Sequence, residues 1–489
     1  MEVACIVQFY QLAPYDKSLV CPEPRMRIPG ADEAIENLVK WSAKEEWTPF
    51  REQMFAEHFD MICDRFDTTE EEIADILGDA FNMVFGCVLE DFFAARFGDD
   101  GEKNIIDDYL KRRGWREKVP AKRYLEAIRD SVLSLYEVVD LDPGRSMTVR
   151  DLVLGGDPIA VEEKLGSETA ARWDRIAGRI VTVNKKVYFT GSLLLFPHEV
   201  ADEVLSGIEE MVKSIKKKLQ KEAKKHGEQT VFTDRDLREM FLHTSTHLFT
   251  RIWLINALSR AAAPFPEIHN TDGDEIVFSE ARFPITGELN NVIVGLDSIN
   301  EFERDDPDDL RWTWHRHGSP LKRMARGESL VFETDDEAGR TILGSIEIDT
   351  DALVLSTNSK ERADRGRDLV LSRLESLVGP ALTSHQDLEK MLDERSNAPP
   401  MQNDLPAEVA EQAIHSFLDG HYRQALDEPL PYLDDKTPRQ AARTKKGRAQ
   451  VISWLKRLEN SESRRAASQG QHPYDFQWMW REMKIDDAR

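Results

Sequence analysis

The sequence predicts an α+β, multidomain protein, and three observations carry that reading. Residues 31–136 repeat apolar side chains at three- and four-residue spacing, as amphipathic helices do. Residues 136–197 and 267–357 break instead into short β-branched and aromatic runs divided by Gly, Pro, Asp and Asn. Helical periodicity then returns behind the Pro- and Asn-containing stretch DERSNAPPMQNDLP. With 489 residues there is room for about three domains. The expected organisation is a helix-rich domain over 1–135, a small antiparallel β-barrel or meander over 136–197, and a helical segment over 198–266. An α+β middle domain over 267–391, a linker over 392–405, a small C-terminal helical module over 406–460 and an aromatic tail over 461–489 complete it.

Each element has its own local signal. Thr68-Thr69 followed by Glu70, Glu71 and Glu72 offers a hydroxyl cap with carboxylates in the first turn. Ile73, Ile76, Leu77, Phe81, Val84 and Phe85 continue one stripe, predicting a long helix to about Phe97 that stops at Gly98. Tyr109–Trp115 and Tyr124–Tyr136 predict two more helices. The runs YEVVDL, SMTVRDLVL, PIAVEE, RIAGRIVTVN and KVYFTGSLLLF predict five strands at roughly ten-residue spacing, with GSETAAR a helical turn or loop between them. A helix over His198–Gly227 ends in lysines, and Thr233-Asp234-Arg235-Asp236 caps a further single helix, LREMFLHTSTHLFTRIWLINALSRA, closed by Pro264 and Pro266. EIVFSEARFPI, NVIVGL, LRWTWHRH, SLVFET, TILGSIEID and ALVLST read as β-rich. The last feeds Asn358-Ser359, a cap for a helix that Gly379-Pro380 stops.

Composition narrows the function classes. Hydrophobic residues make up 40% and charged residues 32%, which suits packed cores under an ionised surface. A net charge of −25 repels phosphate backbones and anionic lipid at long range, so nucleic acid and membrane surfaces are unfavoured partners. The basic segments Lys213–Lys225 and Lys436–Arg448 are local exceptions; the first spreads around more than one helix face and has no aromatic side chain to stack on bases. No window approaches the roughly 18 apolar residues of a membrane helix, and the start of the chain lacks a basic segment followed by an apolar run. Cys5, Cys21, Cys63 and Cys87 contain no CxxC pair and read as free thiols. A cytoplasmic location is the expectation.

Motifs for catalysis are missing from the sequence. No phosphate loop of the GxxxxGK type, no GxGxxG behind a strand and no GxSxG elbow occurs, and no cofactor is expected. Asp305-Asp306 and Asp308-Asp309 lie in a Pro-containing loop and read as solvated charge. His243 and His247, spaced i and i+4 with Glu239 one turn earlier, would share a helix face as metal ligands. The metalloprotease pattern has Glu where this chain has Thr244, so the water-activating base is absent. His315 and His317 would share one side of a strand. The plainer reading of both pairs is ordinary core or sheet histidines. The enzyme reading, a metal-dependent or nucleic-acid-processing activity, would rest on Glu239, His243, His247, His315 and His317.

The strongest local pattern lies in residues 427–463. Thr437-Pro438 is a cap with Pro at the first helical position, Thr444 caps a second helix, and Gly447 sits in its first turn where a side chain would obstruct close packing. Val451, Ile452, Leu455 and Leu458 give that helix an apolar face. The spacing of Pro431, Leu433, Thr437-Pro438, Thr444, Gly447, Val451 and Leu455 resembles the C-terminal toxin-binding domain of the Xre/MbcA/ParS antitoxin family. It departs from that family at Ala441-Ala442 and in having no helix-turn-helix region upstream. The resemblance implies a small helical domain engaging a toxin-like protein partner. YEVVDLDPGRSMTVRDLVLGGDPIAVEEK, LVLSTNSKERADRGRDLV and PYDFQWMWREM resemble a family of uncharacterised prokaryotic proteins, some of which carry a SEC-C zinc motif that is not found in this sequence. Tyr474, Phe476, Trp478 and Trp480 are too much aromatic surface for a free tail, so the tail is expected to dock on a domain or a partner. The expected function is a non-enzymatic protein-interaction or regulatory role, with Pro431, Leu433, Thr437, Pro438, Thr444, Gly447 and Val451 as contact residues and Trp478 and Trp480 as aromatic anchors.

Overall fold

Short-range signals set many of the helix ends. The computed structural model describes residues 28–98, 100–226, 232–263, 268–304, 309–316, 330–332, 340–387, 407–468 and 471–489, with positions 306 and 334. The N-terminal helices are α1 (Ala31–Ser42), α2 (Thr48–Phe66), α3 (Glu70–Leu77), α4 (Asp79–Ala94), α5 (Ile105–Arg113) and α6 (Val119–Arg129). The Thr69 hydroxyl accepts from the Glu72 amide while the Glu72 carboxylate accepts from the Thr69 amide, a reciprocal cap. The single helix expected from there to Phe97 is two. The chain turns at Gly78, with φ 53° and ψ −129°, a backbone state that a Cβ disfavours. The helix expected over Tyr124–Tyr136 ends at Arg129, because the residues from Leu133 onward are drawn into strand pairing.

The strands that follow are β1 (Leu133–Asp142), β2 (Ser146–Asp151) and β3 (Ile159–Glu162), then, after the short α7 (Leu165–Thr169), β4 (Arg175–Val183), β5 (Lys186–Phe189) and β6 (Leu194–Phe196). Six strands stand where five were expected, since KVYFTGSLLLF divides around Gly191 at φ 119°. The order is β1-β2-β3-β5-β4, and β4 pairs back onto β1 to close a five-stranded barrel, with β6 added beside β4. Pairing is antiparallel except at Glu162 and Tyr188, where β3 meets β5 in parallel. β1 serves two neighbours: residues 133–137 pair with β4 and 136–142 with β2, with an irregularity between Val138 and Asp140 that bends the strand. A five-stranded closure of this order, with one helix between β3 and β4, is the OB-type barrel, a scaffold shared by unrelated functions. Tyr136, Val138, Met147, Val149, Val161, Ile176 and Phe189 form a buried cluster of barrel residues.

Three helices follow: α8 (His198–His226), α9 (Asp234–Thr244) and α10 (His247–Ala261). Thr233 and Asp236 form the expected reciprocal cap on α9. The single helix expected through His243 and His247 is broken at Ser245, with φ −138° and ψ 24°. The Thr244 hydroxyl bonds back to the Met240 carbonyl at 3.0 Å, and the break lets Phe241 and Phe249 meet edge to face with centroids 6.4 Å apart.

The chain divides into two compact units, residues 1–262 with 405–489, and residues 263–404. Within the first, the boundaries expected at 135 and 197 run through one apolar cluster that joins Phe59, Phe92, Leu135, Phe196 and Phe249. In the second unit, β7 (Ile268–Asn270) pairs in parallel with β11 (Leu330–Phe332). β8 (Val277–Pro284), α11 (Leu289–Asp297), β9 (Phe302–Arg304), β10 (Arg311–His315), β12 (Ile342–Asp349), β13 (Ala352–Thr357), α12 (Lys360–Leu374) and β14 (Leu382–Asp387) build an antiparallel sheet ordered β14-β8-β13-β12-β10-β9. NVIVGL, expected in the β-rich run, is helix: Val292 and Leu296 are one turn apart in α11 and share a core with Ile299. Ser359 caps α12 through the Arg362 amide. Val292 and Leu296 of α11 and Val370 and Leu374 of α12 pack with Phe283, Trp312, Ile346 and Leu355 of the sheet.

The C-terminal part belongs to the first unit and contains α13 (Ala407–Ala425), α14 (Pro438–Ala441), α15 (Lys445–Ser468) and α16 (Gln477–Glu482). The boundary expected at 460 falls inside α15. The aromatic tail docks back on its own chain: Tyr474, Phe476, Met479, Trp480 and Ile485 share a core with Leu433, Val451 and Leu455. The linker over 392–405, Cys5, Cys21 and His317 lie outside the described residues. No helix among the described residues is long and apolar enough to cross a membrane.

Candidate functional site

The most elaborate polar arrangement in the first unit is the seat of α15 on the barrel. Lys456, Glu459, Asn460 and Arg464 recur at three-, four- and eight-residue spacing and therefore share one helix face. The barrel meets them with Glu137 from the bend of β1 and with Trp173 and Asp174 at the entry to β4. Trp173 is held at φ 71°, in the left-handed region that a bulky residue rarely occupies, and its amide donates to the Val138 carbonyl at 2.7 Å. That turn aims its indole at the helix.

Glu459 binds two indoles at once, accepting from Trp173 Nε1 at 2.5 Å and from Trp480 Nε1 at 3.0 Å, and the two rings stack with centroids 6.1 Å apart. The ammonium of Lys456 lies 2.5 Å from Glu137 Oε1 and 4.2 Å from the Trp173 ring centroid. Asp174 accepts from Asn460 Nδ2 at 2.7 Å and from Arg464 Nη2 at 2.7 Å. At the rim, Arg457 reaches Glu199 at 2.5 Å and covers the Tyr432 ring. Glu137 and Asp174 are each 2% exposed and Lys456 8%, so the Lys456–Glu137 pair is desolvated, whereas Arg464 reaches the buried Asp174 from the surface. Burial pulls the Lys456 pKa down against the attraction of Glu137. His198, beside them at the start of α8, is buried with neither ring nitrogen hydrogen-bonded among the described residues; burial and then Arg175 hold its pKa at about 4. An interface so rich in ion pairs resembles contacts that dissociate more than it resembles a hydrophobic core.

The nine residues singled out from sequence fall into three groups. Leu433, Pro438, Gly447, Val451 and Trp480 are buried within the chain's own C-terminal core. A Cβ on Gly447 would lie 2.2 Å from the Ala441 carbonyl oxygen, so α14 and α15 meet there only because that position is glycine. Thr437 and Thr444 act on the backbone: Thr437 accepts from the Gln440 amide and Thr444 from the Gly447 amide at 3.0 Å. Pro431 and Thr444 are exposed, and Trp478 is half-buried with its indole donating to the Tyr474 hydroxyl at 2.7 Å.

The histidine candidates do not form the helix face expected of them. His243 is in the last turn of α9 and His247 opens α10, so the i, i+4 arrangement on one helix is corrected to two separate helices. Glu239 pairs with Arg235 at 2.9 Å. His315 is buried 3.5 Å from Glu303. Among the described residues no group of three or more His, Cys, Asp and Glu side chains is placed to hold a metal ion.

A second polar cluster went unnoticed in the sequence. The His58 ring lies between the Thr250 hydroxyl, 2.6 Å from Nδ1, and the Asp91 carboxylate, 3.2 Å from Nε2. Arg179 from β4 also donates to Asp91. Burial alone would raise the Asp91 pKa, but Arg179 and His58 outweigh it and hold it at about 2. Glu90 beside it, accepting from Thr190 Oγ1 at 2.7 Å, is pushed up to about 7 by burial. A hydroxyl, an imidazole and a carboxylate in a row have the chemistry of a nucleophile relay. Here Thr250 and His58 are 0% exposed and Asp91 3%, so no substrate reaches them and the cluster ties α2, α4, α10 and β4 together. Its signal in the sequence is a charged pair, Glu90-Asp91, inside the apolar run VFGCVLEDFFA.

Comparison with known proteins reaches part of this unit. Residues 88–252 match a family of unknown function, DUF7986. The match begins within α4 and ends within α10, so it takes in the barrel, Glu90, Asp91, Trp173, Asp174 and Arg179 and leaves α13–α16 outside. Over this stretch the chain is similar to an uncharacterised family. No curated protein and no solved structure matches.

Proposed function

We propose that this chain is a cytoplasmic protein-interaction or regulatory protein, without catalytic activity of its own, whose C-terminal module engages another protein while α15 holds that module on the barrel. The observation that carries the reading is the buried ionic seat of α15: Lys456 on Glu137, Asn460 and Arg464 on Asp174, and Glu459 between two indoles. A contact built from paired charges fixes one orientation, and a competing charged partner can exchange for it. The likeness of residues 431–455 to an antitoxin's toxin-binding domain supports a toxin-like partner, and Pro431 and Thr444 are the exposed positions where it would meet the module. The metal-dependent alternative gains nothing from His243 and His247, which stand on different helices.

The test compares full-length wild type with Pro431→Asp, Thr444→Lys and the seat-loosening Arg464→Ala in quantitative affinity purification. The expected result is one protein recovered in stoichiometric amount, lost with Pro431→Asp and Thr444→Lys and enriched with Arg464→Ala. Identical recovery from all four overturns the proposal.

A further inference from the structure

The second unit holds a cleft whose lining departs from the chemistry of the rest of the chain. Strand alternation places Thr313 of β10, Ser345 of β12 and Ser356 of β13 on one face of the sheet, and they are register partners, so three hydroxyls form a row across adjacent strands. Val370 and Leu374 of α12 pack with the alternate set, Trp312, Ile346 and Leu355, which leaves the hydroxyl row on the opposite face. Over that row opens a cavity of about 340 Å³, a volume in the range of small-molecule sites. Phe278 of β8 and Ile342 of β12 give it an apolar wall, Arg311 brings a guanidinium group to it, and Arg362 lies beneath it.

A guanidinium unpaired among the described residues, beside the hydroxyl row, is the decisive observation. Among the described residues that line the cavity there are two arginines and neither an Asp nor a Glu. The two arginines have different tasks. Arg362 is fully buried and committed: it donates to Asp272 at 3.0 Å, to the Asn358 side chain at 3.0 Å and to Thr271 at 2.8 Å. It is a structural post at the start of α12. Arg311 makes no hydrogen bond or ion pair among the described residues, and neither do the hydroxyls of Ser345 and Ser356. A guanidinium presents a planar fork of donors suited to two oxygens of one oxyanion, and hydroxyls beside it supply further donors. Glu280 continues the row one strand beyond Ser356 and does not line the cavity, so it bounds the anionic end on that side.

We infer that this cleft is a binding site for a small organic anion, with a carboxylate or phosphate held by Arg311, Ser345 and Ser356 and an apolar or aromatic body lying against Phe278 and Ile342. Carboxylate and phosphate ligands share this chemistry, and probes of each kind separate them. Phenyl phosphate and benzoate carry the ring and one anionic group each, while inorganic phosphate carries the anion alone. Calorimetric titration of the full chain is expected to show saturable binding of phenyl phosphate or benzoate with a dissociation constant of about 1 mM or tighter, and weaker binding of inorganic phosphate. Arg311→Gln is expected to weaken the preferred probe about tenfold or more, and Ser345→Ala with Ser356→Ala several-fold. Arg282→Gln, on an exposed arginine of the same sheet outside the cavity, is expected to leave binding unchanged. Titration with no saturable heat for either ring-bearing probe overturns the inference. So does binding that Arg311→Gln and Arg282→Gln weaken equally, which would mark an adventitious ion only.

Discussion

Removing the Lys456 ammonium isolates the worth of the seat of α15. In Lys456→Ala the Glu137 carboxylate, 2% exposed, loses the partner 2.5 Å away and keeps, among the described residues, Arg175, whose Nε is 4.0 Å distant. Deleting one member of a buried pair typically costs about 3–5 kcal/mol, because the remaining charge stays desolvated. Arg175 offsets part of that, so the lower end, about 3 kcal/mol, is the expected loss. Opening of α15 then becomes about a hundredfold more frequent, at about 1.4 kcal/mol per factor of ten. Native-state hydrogen exchange of the α15 amides reads this directly, as a loss of about two decades of protection. Lys446→Ala is the control, since Lys446 pairs with Asp434 at 3.1 Å in the open and such pairs contribute about 0–1 kcal/mol. Replacing both partners, Lys456→Met with Glu137→Gln, is expected to restore most of the protection, because no unpaired charge remains. Protection in Lys456→Ala within about twofold of wild type would refute the reasoning, as would an equal loss in Lys446→Ala.

Other outcomes follow from the same geometry. Glu90 has its pKa raised from 4.5 to about 7, so the folded state binds more protons than the unfolded state between those values and stability falls as pH rises through that window. Glu90→Gln is therefore expected to remove a loss of roughly 3 kcal/mol between pH 4.5 and 7, seen as a flatter profile of unfolding midpoint against pH. Arg179→Met strips Asp91 of its guanidinium and is expected to cost about 3–5 kcal/mol in denaturant unfolding of the first unit. Gly447→Ala drives a Cβ to 2.2 Å from the Ala441 carbonyl and is expected to cost about 1–3 kcal/mol, visible as early melting of the C-terminal helices. Trp480→Ala empties a fully buried site and removes one of the two indoles that donate to Glu459, with an expected loss of about 3–5 kcal/mol by the same measurement.

Much of this architecture could be read from neighbours in the chain. Thr69, Thr233, Ser359 and Thr437 each cap a helix because a side-chain oxygen there meets an amide three residues on, an interaction contained within one turn. The barrel strands were legible for a similar reason, since alternation and turn residues operate over fewer than about ten positions. The misreadings were places where local periodicity and tertiary packing disagreed. NVIVGL has strand-like residues but forms helix because Val292 and Leu296 reach the same core. The stripe through Ile73 and Phe85 continues across Gly78 although the backbone does not.

Composition, spacing and caps therefore specified an acidic α+β chain of several helical and β segments, with an aromatic tail too apolar to remain free. Folding alone chose the partners of the charged residues. Lys456 and Glu137 are 319 positions apart, Asn460 and Asp174 286, and His58 and Thr250 192. A lysine and a glutamate carry no mark of each other at such separations, because their pairing depends on which surfaces close and how much water leaves. The hydroxyl row beside Arg311 has the same origin: Thr313, Ser345 and Ser356 are unremarkable polar residues until strand register sets them side by side.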